Sequence, residues 1–151
     1  MSFATDRDKG ASAVEMAMVA PFLLLLLLGI IEYGFLFGVF NQVRHSALEG
    51  ARITAVSNVA FDQDGDTDFD EDDITSYVCD SISLPNGTVT VDLVLGTNAI
   101  GEEATVTVTA VTPSLSGAPL ISTFLPNDLA NTATFRLEQP ATWASDSVTC
   151  P

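Results

Sequence analysis

From Met16 to Ile31 the chain carries no charged or strongly polar side chain. The run contains six consecutive leucines, Leu23 to Leu28, and continues to Phe40 with Glu32 as its one charge. As a helix, the roughly 25 residues after Glu15 span about 37 Å, enough to cross a hydrocarbon core of ~30 Å with some tilt. This segment is therefore expected to begin in a membrane. A cleaved secretory signal has a shorter apolar core, about 7–15 residues, with its small-residue cleavage site after it. Here the small residues, Gly10 to Ala13, come before the core. A plain membrane anchor leaves Glu15 unexplained. An acid near the start of a membrane helix costs about 2–3 kcal/mol unless it lies at the interface or finds a partner.

Three short motifs fall in order along this part of the chain. Gly10-Ala11-Ser12-Ala13-Val14-Glu15 follows the basic residues Arg7 and Lys9. Gly29-Ile30-Ile31-Glu32-Tyr33-Gly34 lies in the second half of the apolar run, and Leu48-Glu49-Gly50-Ala51-Arg52 comes after it. Over residues 7–56 this arrangement resembles the TadE-like family, minor pilins or pseudopilins of the tight-adherence (Flp) type IV pilus system. Met16 stands where that family more often has Phe. The resemblance implies a prepilin leader, residues 1–10, cut after Gly10 by an inner-membrane prepilin peptidase. Ala11 then becomes the amino terminus, and Glu15 becomes the fifth residue of the mature helix. Implied partners are other pilin or pseudopilin subunits, joined through this helix, and an inner-membrane assembly platform.

Arg7 and Lys9 flank the amino end of the first membrane helix and should hold it in the cytoplasm. The protein is thus expected to be single-pass in the cell membrane, with its carboxyl domain outside the cytoplasm, and later in the pilus. Twenty acids against five Lys and Arg give a net charge of -15. Such a surface suits an exported soluble domain or a salty medium and makes nucleic acid a poor partner, since that binding needs a basic patch.

The long helix is expected over 11–57, with 16–40 in lipid. Beyond Phe40, Val43, Ala47 and Ala51 recur four apart, with Leu48 and Ala55 beside them, as one apolar stripe. Gly34 and Gly38 form a G-x-x-x-G, a spacing that allows close helix approach in lipid. Glu32 lies about 25 Å along the helix from Glu15. Two readings stand for it: an acid reaching water near the outer interface, or an assembly contact with a neighbouring subunit.

Residues 58–73 form an acidic segment. Alternating carboxylates around a glycine can wrap a hard cation in six to eight oxygens. Setting Gly65 at the glycine of an EF-hand-like loop makes Asp62, Asp64, Asp66, Asp68 and Glu71 candidate calcium ligands, but puts Ala60 at the first ligand position. Starting instead at Asp62 loses the glycine and closes on Asp73. The competing reading is a solvated acidic linker that repels itself.

The remaining chain, 74–151, reads as a small exported domain. Glu71 to Ile82 predicts a short helix capped by Asp72 or Asp73, with Ile74, Tyr77, Val78 and Ile82 on one face. Thr88 to Leu95 and Ala104 to Val111 alternate as a strand hairpin, and Asn131 to Gln139 predicts a third strand. Pro113 to Pro126 fits a short helix or an apolar loop over the sheet, and Pro140 to Pro151 an irregular tail. Cys79 and Cys150 form no CxxC pair. In an exported domain an even pair favours a disulfide, whose loop of about 70 residues contributes roughly 4 kcal/mol; two buried thiols are the alternative. The fold class is α+β: a long N-terminal transmembrane and assembly helix, then a small antiparallel β-rich domain with a short helix, like a pilin.

No catalytic set emerges. The chain has one histidine, His45, which reads as a surface residue, and no G-x-S-x-G, P-loop or zinc spacing. The expected function is that of a structural minor pilin supporting pilus biogenesis and adhesion. The alternatives are an uncleaved membrane-anchored module that binds calcium or adheres, and a main pilin of the filament shaft.

Overall fold

The computed structural model describes residues 4–56, 65, 69–84, 87–112, 114–115 and 123–150. Helix α1 runs from Ala4 to Val56, and Pro21 lies inside it without ending it. Helix α2 spans Glu71–Asp80. Four strands follow: β1 Thr88–Leu95, β2 Glu103–Val111, β3 Asp128–Arg136 and β4 Asp146–Thr149. They form one antiparallel sheet in the order β3-β2-β1-β4. The fold is α+β, as the sequence pattern predicts.

One face of the sheet is covered by the helices. The carboxyl half of α1 packs on β3 and β2, and α2 packs on α1 and β1. Alternation places Val89, Val91 and Leu93 of β1 and Ala104, Val106, Val108 and Ala110 of β2 on the covered face. The opposite face carries mostly hydroxyls, with Thr107 and Thr132 joined at 2.9 Å across the β2–β3 pair. From α1 come Leu36, Val39, Val43, Ala47, Ala51 and Ile53. Leu48, expected in that stripe, is exposed instead, because it shares the outward side of the helix with Arg44 and Arg52, four residues away on either side.

Three other expectations are corrected. The cap of α2 is Asp70: its carboxylate accepts from the Asp72 and Asp73 amides, while Asp73 accepts in return from the Asp70 amide at 3.3 Å. Such reciprocal bonding satisfies donors that the first turn leaves unpaired. The third strand starts three residues earlier than expected, at Asp128, because its register is set by pairing along the full length of β2. The carboxyl tail is not all irregular: Asp146–Thr149 pairs with Thr90 to Leu93 as a short edge strand.

The strands fix the polarity of the domain along α1. The Glu138 amide donates to the Ala55 carbonyl at 3.0 Å, near the carboxyl end of the helix. At the other end, Thr112 donates to Asn127 at 3.2 Å beside Glu32. Thr112 and Asn127, which flank the β2–β3 connection, therefore lie at the end of the domain nearest the apolar run.

Candidate functional site

The amino half of α1 is uncovered. No residue from Gly10 to Ile31 is buried, although Val14, Met16, Met18, Val19, Phe22, all six leucines, Ile30 and Ile31 occur there. A helix apolar on every side has no core-facing stripe and belongs in an apolar surrounding. By length and composition it is a candidate membrane span, and these 22 residues rise about 33 Å against a hydrocarbon core of ~30 Å.

Gly10, Ala11 and Glu15 lie in this uncovered section and are exposed. Gly34 and Gly38 also meet nothing within 4 Å of where a Cβ would stand. Glu32 differs from these. It is only 2% exposed, and its Oε1 accepts a hydrogen bond from the Leu115 amide at 2.7 Å. A cavity of about 30 Å³ lies beside it, lined also by Leu36, Thr112, Ser114, Leu125, Pro126 and Asn127. The Thr112 hydroxyl is buried with no hydrogen-bond partner among the described residues. The cavity has room for water. The sequence shows Glu32 as an odd charge in an apolar run, but it offers no signal for its partner, which is a backbone N–H from a loop 83 residues away.

Cys79 and Cys150 are joined, with an S–S distance of 2.04 Å. Of the candidate calcium ligands, Asp62, Asp64, Asp66 and Asp68 lie outside the described residues. Glu71 opens α2, and its Oε2 accepts from the Ala144 amide at 3.0 Å. Among the described residues no group of three or more His, Cys, Asp or Glu is arranged to hold a metal.

The site is thus a surface and not a pocket: an exposed apolar rod with one carboxylate near its amino end, joined to a packed domain at Glu32. Residues 10–52 match the TadE-like protein family. The matched TadE-like segment covers the uncovered rod and most of its packed continuation, and ends inside α1 before the sheet domain begins. The match suggests a Tad pilus-associated protein, and the long apolar helix is compatible with membrane anchoring. No curated protein and no solved structure matches the chain.

Proposed function

We propose that this chain is a minor pilin or pseudopilin of a Tad-type pilus, cut after Gly10 and assembled through the rod that begins at Ala11. The observation that carries this reading is the exposed Glu15, five residues after Gly10 within the TadE-like match, on a rod whose apolar surface is free along its length. After the cut, the Ala11 ammonium group and the Glu15 carboxylate of a neighbouring subunit pair in the helix bundle. Such pairing matters in an apolar surrounding, where removing one partner costs about 3–5 kcal/mol by stranding the other charge. The leucine run packs between subunits, and the acidic domain faces solvent.

Amino-terminal sequencing of the exported protein tests the cut. A mature chain beginning at Ala11 supports the pilin, and one retaining residues 1–10 supports an uncleaved anchor. Glu15→Ala is expected to leave the outer domain folded and to lower pilus number sharply. Normal piliation in that variant would remove Glu15 from the assembly role.

A further inference from the structure

The connection between β2 and β3 presents large apolar side chains at the point where the rod leaves the domain. Leu115 is 53% exposed and Phe124 is 78% exposed. Both are fixed to the level of Glu32: the Leu115 amide bonds the carboxylate at 2.7 Å, and Leu125, next to Phe124, lines the cavity with Glu32 and Leu36. Ile31, Tyr33 and Phe37 are exposed on the helix at the same height. In a chain of net charge -15, the sequence from Thr112 to Asn127 contains no Asp, Glu, Lys or Arg.

We propose that Leu115 and Phe124 insert into the interfacial layer of the leaflet from which α1 emerges, so that the domain rests directly on phospholipid. The inference depends on the membrane-spanning reading of the rod. Three observations favour lipid over a second copy as the occupant. The exposed Leu115 is tied through its amide to Glu32, the residue at which the uncovered rod ends. A rod of about 33 Å already fills the ~30 Å core, so Glu32 comes level with the headgroups. Leu115 and Phe124 also belong to a sequence stretch without charge, in a domain whose acidic residues anionic headgroups would repel. Tyr33 at that level fits the preference of tyrosine for the membrane–water boundary.

The test uses the full chain in phosphatidylcholine vesicles containing lipids with a quencher near the headgroup or near the bilayer centre. Phe124→Trp reports on the loop and Phe22→Trp, at an exposed position near the middle of the rod, on the span. Trp143, buried at 2% exposure, supplies the wild-type baseline. For Phe124→Trp, the headgroup quencher is expected to act more strongly than the central one, as for groups lying at the headgroup boundary; Phe22→Trp, near the middle of the rod, shows the reverse order. Quenching of Phe22→Trp with a water-like, unquenched Phe124→Trp overturns the loop proposal and leaves the spanning rod intact. A loop tryptophan shielded from water yet untouched by lipid quenchers also overturns it, in favour of a second copy. If neither position is quenched, the spanning reading and the proposal both fall. Leu115→Trp keeps the result readable should Phe124→Trp fail to fold.

Discussion

At Gly50 a single missing methyl sets the distance between two helices. A Cβ there would stand 2.8 Å from Cγ2 of Val78. Val78 is fully buried and β-branched, so it has little freedom to turn away. Alanine would gain about 1 kcal/mol of helix propensity, but overpacking costs about 1–3 kcal/mol. Gly50→Ala is therefore expected to destabilise the domain in a denaturant titration. Gly38→Ala, where nothing lies within 4 Å, should leave stability unchanged or slightly raised. At Glu32 the relevant quantity is the satisfaction of a buried donor. Glu32→Ala leaves the Leu115 amide without this acceptor and is expected to cost about 1–3 kcal/mol. Glu32→Gln keeps an acceptor oxygen and should cost less; equal losses in the two variants would show that the hydrogen bond is not what stabilises the contact.

Among the elements, β4 depends most on what holds it. It has four residues, its one apolar side chain is Val148, and it pairs with only half of β1. Its carboxyl end is fixed by the Cys150 amide, which donates to Val89 at 2.8 Å, and by the bridge to Cys79 on α2. The bridge closes a sequence separation of 71, so replacing both cysteines by serine is expected to cost about 2–4 kcal/mol. Hydrogen exchange should then rise in β4 first, while the β1–β2–β3 amides stay protected. Protection of β4 unchanged without the bridge would mean that pairing alone suffices. The weak patterning also explains why β4 escapes a sequence reading. β1 and β2 alternate strictly and are legible, whereas Asp146-Ser147-Val148-Thr149 is too short and too polar to carry a period.

For the whole molecule, two rods of different pitch are matched in length. From Glu32 to Ala55 the helix rises about 34 Å, and from Asp128 to Glu138 an extended chain covers about 34 Å. The domain therefore spans the second half of α1 and stops at Glu32, leaving the first half free. Because no residue from Gly10 to Ile31 is buried, a chain beginning at Leu27 is expected to keep the unfolding midpoint of the full protein, read by the near-ultraviolet signal of Trp143, which packs against Phe135 at 6.4 Å. A large loss of stability would show that the rod supports the domain as well as anchoring it.

The apolar rod, the ordered motifs around Gly10, Glu32 and Gly50, and the α+β class were legible in the amino-acid sequence. They rest on local composition and on periods of about 3.6 and 2 residues, which neighbouring residues impose on one another. The partner of Glu32, the return of β4 beside β1 and the place where packing on α1 begins were decided by the tertiary structure. Each depends on contacts between residues far apart in the chain, or on backbone groups that every residue shares, and neither leaves a mark in the order of side chains.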